Sequence, residues 1–333
     1  ARKRDDNIVR WYNMTYPKDG VKEADITKLA PNDNGVWYDY QQGVIWAFEK
    51  NGFHVPAGYD MVMLSDMPAG SGLSASASIE EVAAVIIRDL FDIDMTMVDC
   101  AVMGQYSENE YNGMNCGIMD QFASAMGKKD HAIFLDTATM EYEYVPLNLK
   151  DEKIVITNSK VKHALAGSAY NDRRRESEEA LADLQTVLDI KTLGDLDEET
   201  YLANESVIKN EINRKRAHHA VFENQRTLKA VEALRADDIE AFGKLMNESH
   251  ISLRDDYEVS CPELDILAAE AWKLPYVVGS RMTGGGFGGC TVSIVKADKV
   301  DAFKAAITKA YENETGKTPE FYIADAADGA RRL

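Results

Sequence analysis

Between residues 57 and 91 a short apolar run, a glycine-rich loop and an amphipathic stretch follow one another directly, so the fold must let a strand feed a helix through a tight turn. Tyr59-Asp60-Met61-Val62-Met63-Leu64-Ser65 reads as a buried strand. Asp66 to Ser74 reads as a loop, and Ala75 to Phe91 as a helix with Ile79, Val82, Ala83, Ile86, Ile87 and Leu90 on its apolar face. Glycines let backbone amides point inward and a helix start carries partial positive charge, so Gly70-Ser71-Gly72-Leu73-Ser74-Ala75-Ser76 is an anion cradle. It lacks the Lys of a Walker loop. The competing reading makes Ser74 an N-cap and Gly72 a simple turn.

A second glycine run has the spacing Gly284-x-Gly286-x-x-Gly289, which matches a dinucleotide fingerprint. That fingerprint needs a helix after it, whereas Cys290-Thr291-Val292-Ser293-Ile294-Val295 continues as a strand. A glycine turn that lets two backbones approach closely is the alternative. Elsewhere, Cys116 to Phe122 reads as a turn entering a helix that ends at Gly127, Ala132 to Leu135 and Lys153 to Thr157 read as strands, and residues 170 to 250 as helix-rich. In that region Ala217, Val221, Leu228, Val231 and Leu234 make one stripe, and Asp237 or Asp238 caps the next helix. Val300, Phe303 and Ile307 mark a last helix, with Gly316 as its C-cap. His218 and His219 have no partner at metal-ligand spacing and read as helix-surface residues.

With 333 residues, the chain is long enough for roughly two domains of about 150 residues. The mixed pattern reads as α+β, with domains at 1–150 and 151–333. A formal charge of −19 argues against nucleic acid and anionic membranes as partners, and no apolar run reaches membrane-helix length. Four scattered cysteines without CxxC spacing fit a reduced, cytoplasmic protein with no disulfide and no structural zinc. A magnesium nucleotide would need a carboxylate, and Glu108 and Glu110 are candidates that could equally be solvated helix residues. Asp120 could orient an acceptor hydroxyl in phosphoryl transfer or could be an N-cap.

Taken together, these segments resemble the GHMP family of small-molecule kinases and, within it, the galactokinases. The resemblance rests on Pro68 to Ser78, on Gly113-Met114-Asn115-Cys116-Gly117-Ile118-Met119-Asp120-Gln121-Phe122, and on Arg281 to Thr291. Ser168 to Arg174, Glu248 to Ser260 and Ala326 to Ala330 extend it. It implies a two-domain α+β kinase with its active site in the interdomain cleft, ATP and Mg²⁺ as cofactors, and galactose as the sugar phosphorylated at its anomeric hydroxyl. Asp120 becomes the catalytic residue, and Ser76 and Glu108 the magnesium ligands. Gly117 and Tyr170 become sugar contacts. Pro68, Gly70, Ser71, Gly72, Leu73, Ser74, Ala75 and Ser76 cradle the nucleotide phosphates. Thr283 to Gly286 would close the site, and Trp37 would lie by the adenine or be an ordinary core aromatic.

The resemblance also marks departures. Ala75 stands where many relatives have serine, although the loop keeps its length, which favours an enzyme over a catalytically silent galactose and ATP sensor. A kinase for N-acetylgalactosamine or a uronic acid is the nearer alternative. The family implies a further segment before Arg2-Lys3-Arg4-Asp5-Asp6-Asn7, with a GEHTDY-like sugar motif and an Arg beside the catalytic Asp. No such motif occurs in the 333 residues, so this chain alone is expected to be weakly active or inactive.

Overall fold

The computed structural model describes residues 1–32, 34–67, 73–161 and 166–333, with backbone only for 166–168. The chain divides into two compact units, Ala1–Tyr144 with Ala326–Leu333, and Val145–Asp325.

The first unit runs β1 (Arg2–Lys3), β2 (Ile8–Asn13), β3 (Val21–Asp25), α1 (Trp37–Lys50), β4 (Tyr59–Met63), α2 (Ala75–Phe91), α3 (Met97–Tyr106), α4 (Met119–Met126) and β5 (His131–Leu135). The short strand β6 (Tyr142–Pro146) pairs with β5. The main sheet has the order β1-β4-β2-β3, with β2 and β4 parallel and the other pairs antiparallel. Alternation decides its inner face. Val9 and Trp11 of β2 and Tyr59, Met61 and Met63 of β4 are buried against Val44, Ile45 and Phe48 of α1 and Ala83, Ala84 and Ile87 of α2. Gly58 admits β4 because a Cβ there would lie 2.0 Å from the Ile8 carbonyl oxygen.

Two readings of this region need correction. β4 ends at Met63, and Val62 and Leu64 face outward. On α2, Val82 is exposed, whereas Glu80 and Glu81 are fully buried. The apolar period located the helix but missed the acids on its inner face.

The second unit runs β7 (Glu152–Asn158), α5 (Ala166–Leu184), α6 (Glu198–Asn204), α7 (Glu211–Arg235), α8 (Ile239–Asp255), α9 (Pro262–Trp272), β8 (Val277–Thr283), β9 (Cys290–Lys296), α10 (Val300–Thr315) and β10 (Glu320–Ala324). Its antiparallel sheet has the order β10-β7-β9-β8. Val155 and Val295 pack on Leu267, Ala271, Phe303, Ile307 and Tyr311. A separate helical core joins Ala180 and Leu184 of α5 to Tyr201, Ala217 and Val221. Leu228 of the expected stripe is exposed. Asp238 caps α8 by accepting from the Ala241 N–H at 2.9 Å, and Gly316 ends α10 in left-handed backbone at φ 68°.

α8 crosses β8 backbone to backbone. A Cβ at Gly243 would lie 2.1 Å from the Val278 carbonyl oxygen, and one at Gly279 would lie 2.5 Å from that of Gly243. Neither neighbour is a flexible side chain, so Gly243→Ala must displace the helix. Urea unfolding should show a loss of about 1–3 kcal/mol or more, and an unchanged midpoint and slope would refute the close contact.

Candidate active site

The start of α2 is built against α4. Ser74, the residue before α2, has left-handed backbone at φ 57° and ψ 43°. Holding a non-glycine residue there costs about 1–3 kcal/mol, so its surroundings must fix it. Its hydroxyl makes no helix cap and instead donates to Asp120 Oδ2 at 2.5 Å. Asp120 is not a cap either, because it is the second residue of α4 and Ile118 takes the N-cap position. Both capping alternatives therefore fail, since the two side chains satisfy each other. With no described side chain capping α2, its first-turn N–H groups suit an anion. Of the expected cradle, Leu73, Ser74, Ala75 and Ser76 are described, whereas Pro68, Gly70, Ser71 and Gly72 lie outside the described residues.

Glu108 reaches the same place from a single π-helical turn, Ser107–Tyr111, that continues α3. Such a turn inserts one extra residue and rotates its side chains relative to the preceding helix. Ser107, Glu108 and Tyr111 are turned inward, whereas Glu110 is exposed and takes no part. Gly43 of α1 makes room, because a Cβ there would lie 2.3 Å from Ser107 Oγ. Ser76 lies near enough to the Glu108 carboxyl to hold its pKa down, so the expected metal-ligand pair is brought together. Among the described residues no group of three or more His, Cys, Asp and Glu could hold a metal by itself. One carboxylate and a hydroxyl beside the uncapped start of α2 still fit Mg²⁺, which completes its shell with phosphate oxygens and water.

Behind this pair lie two residues that the sequence reading did not single out. Gln121, adjacent to Asp120, is fully buried and donates through Nε2 to Glu108 Oε2 at 2.7 Å and to Glu80 Oε2 at 3.1 Å. A usable signal was present for Glu80, because it follows Ser76 by four residues and so shares its face of α2. Burial first, and then the charge of Glu108, pushes the Glu80 carboxyl well above its ordinary range. Burial also raises Glu108, opposed by the hydrogen bonds from Glu80, Ser76 and Gln121. Burial and the Glu108 charge push the Cys116 thiol up to about 12, which makes it a poor nucleophile.

The loop from Gly113 to Ile118 is pinned through Cys116. Its N–H donates to Asn109 Oδ1 at 2.8 Å and its carbonyl accepts from Gln105 Nε2 at 3.1 Å. Gly117 follows with open space where a Cβ would be. The last residues of the chain brace the far end of α4. Gly329 N–H donates to the Gly127 carbonyl and Ala330 N–H to that of Ser124, both at 2.8 Å. Trp37 opens α1 and donates from Nε1 to Asp19 Oδ2 at 3.0 Å.

The second unit carries the remaining predicted residues. Tyr170 is partly exposed in the first turns of α5. α5 is tied to its neighbours by the buried Arg216, which donates to Glu176 Oε2 at 2.7 Å, the Asp256 carbonyl at 2.6 Å and Glu258 Oε2 at 2.9 Å. The turn from Gly284 to Gly289 joins β8 to β9, so the dinucleotide reading fails. Close approach is its physical basis: Cβ atoms at Gly286 and Gly288 would lie 2.1 Å and 2.7 Å from the Val259 and Val161 carbonyl oxygens. His250 is fully buried and accepts from the Met282 N–H at 3.0 Å, just before that turn. The surface reading of His219 is corrected: it is buried, stacked on Tyr257 at 4.5 Å and within 3.0 Å of Ser252 Oγ. Burial pushes its pKa down to about 4, so it stays neutral.

Residues 39–128 match the GHMP kinases N terminal domain and residues 230–313 the GHMP kinases C terminal domain. The fold is shared with a mevalonate kinase at a TM-score of 0.63 and 16% identity over 98% of this chain and 88% of that one. Fold and site thus define a GHMP small-molecule kinase. Nearer relatives narrow the class. The galactokinase of Bacillus subtilis (strain 168) is 46% identical over 99% of this chain and 85% of its own length, and that of Clostridium acetobutylicum is 49% identical over 99% and 85%. The crystal structure of Lactococcus lactis galactokinase complexed with galactose superimposes with a TM-score of 0.95 at 42% identity, covering 100% of this chain and 86% of that one. The chain belongs to the galactokinase family, ATP-dependent sugar kinases that work with Mg²⁺. Among the described residues no helix is long and apolar enough to cross a membrane.

Proposed function

We propose that this chain transfers the γ-phosphoryl group of ATP to the anomeric hydroxyl of α-D-galactose, giving ADP and galactose 1-phosphate. The observation that carries this reading is the 2.5 Å bond from Ser74 to Asp120, which sets a carboxylate beside a helix start suited to phosphate. There, Asp120 orients the sugar O1 hydroxyl and takes its proton as the O1–P bond forms and the bond to the ADP oxygen breaks. First-turn amides of α2 and the residues from Gly70 to Ser76 hold the phosphates. Ser76 and Glu108 would hold Mg²⁺, which when bound neutralises charge on the transferring group. Tyr170, the Gly117 backbone and the turn from Thr283 to Gly286 are assigned to the sugar, and Trp37 to the adenine. Catalysis of this kind rests on positioning and electrostatics.

The comparisons do not bear out the expectation of a weakly active or inactive chain, and a loop of unshortened length in the sequence supports an enzyme. The same reading places the protein in the cytosol. ADP release, measured with galactose, N-acetylgalactosamine and galacturonate as acceptors, tests the proposal. Galactose should give the highest kcat/KM. A preference for another sugar would reassign the substrate, and silence in a folded protein that binds both galactose and ATP would make it a sensor.

A further inference from the structure

Gln121 occupies an unusual electrostatic position for a neutral core residue. One amide nitrogen serves two carboxyl groups, Glu108 on the π-turn and Glu80 on α2, and the side chain has no exposure. Its Oε1 has no partner among the described residues. This orientation suits Glu108 best, because a flip would aim Oε1 at a carboxylate that has no proton to give. Ser76 and Glu80 lie one helical turn apart on α2, and Gln121 follows Asp120 on α4. The amide therefore links the helix that begins at the phosphate cradle, the turn that carries Glu108, and the helix that carries the reacting carboxylate.

We propose that Gln121 is a positioning residue that fixes the Glu108 carboxylate for the divalent cation. The proposal rests on the reading of Glu108 as a metal ligand. Without the amide, Glu108 Oε2 loses its 2.7 Å donor and nothing on α4 holds the carboxylate in its present direction. Glu80 is hemmed in by the core beside Gly104, where a Cβ would lie 3.5 Å from Glu80 Cβ and 3.1 Å from Gln121 Cγ. Glu108, at the end of a helix and next to a loop, is the one free to turn, and its loss of alignment would be felt by the cation. Groups that orient a metal ligand commonly change metal affinity by about 10- to 100-fold when removed.

The test uses Mn²⁺ as the probe, with free Mn²⁺ measured by electron paramagnetic resonance as protein is titrated in with ADP present. Gln121→Leu keeps the side-chain volume and removes the donor. It should weaken Mn²⁺ binding about 10-fold or more while leaving binding of metal-free ADP within about 2-fold, a split that a merely structural role would not produce. Glu108→Gln is the reference. If it weakens Mn²⁺ binding while folded Gln121→Leu does not, the positioning role is overturned and the ligand reading stands. If neither weakens it, the ligand reading falls and the positioning role falls with it. Should Gln121→Leu not fold, Gln121→Asn carries the same test, because its amide is one methylene too short to reach both acids.

Discussion

Asp120→Asn should lower kcat for ADP formation by about 10²- to 10⁴-fold, with nucleotide affinity changed no more than a few-fold. The asparagine keeps the size of the aspartate and an oxygen that can accept from Ser74 Oγ, so the 2.5 Å link that holds the residue before α2 is retained in form. What disappears is the negative charge and the basicity that the acceptor hydroxyl needs as it attacks. Nearly all of the effect should therefore appear in kcat. Isothermal titration with ADP and steady-state kinetics on the same preparation check both halves. Turnover within about 3-fold of the parent would remove Asp120 from the chemistry.

Glu81→Gln should stabilise the protein at pH 8 and leave it nearly unchanged at pH 5, with a difference between the two on the order of 4 kcal/mol. Glu81 is fully buried, neither carboxyl oxygen has a partner among the described residues, and burial pushes its pKa from 4.5 up to about 8. It packs against Cys100 and Gly104 of α3, with the charged groups Glu80 next to it in sequence and Arg88 two turns along α2. A Cβ at Gly104 would lie only 2.4 Å from Glu81 Oε1, so the carboxyl is tightly enclosed. Below pH 4.5 the acid is neutral in both the folded and unfolded chains and costs nothing through ionisation. Above that pH the unfolded chain releases its proton while the folded one keeps it, so stability falls as pH rises, until the folded group also ionises near pH 8. Glutamine has no proton to lose and removes this slope. Urea unfolding of both proteins at pH 5 and pH 8 measures the effect. A parent-to-variant difference that is the same at the two values would show that Glu81 is not held neutral.

Much of the site could be read from local sequence, and the exceptions share one cause. The strand, loop and helix from Tyr59 to Phe91, the helix carrying Asp120 and the glycine turn between two strands all follow from period and punctuation, because those signals act over a few residues. Glu81 and Gln121 gave no such signal, and Glu80 gave only its four-residue spacing from Ser76. Acids and amides on a helix are ordinarily solvated, and only the packing of α2 against α3 and α4 turns these three inward. His219 is interior for the same reason, since the surface of an isolated α7 becomes buried where Ser252 and Tyr257 cover it.

The sequence by itself determined the strand, loop and helix order from Tyr59 to Phe91 and the family, and made the anion cradle an expectation, since each depends on residue types at short, fixed spacing. It also supplied both partners in each alternative for Ser74 and Asp120 without choosing between them. Only the tertiary structure decided, by bringing together side chains 46 residues apart in the chain so that each satisfies the other instead of a helix end. The same holds for Glu108, whose neighbours Ser76, Glu80 and Gln121 arrive from two other helices. Hydrogen bonding and burial are properties of neighbours in space, and a linear pattern carries them only where those neighbours are also close in sequence.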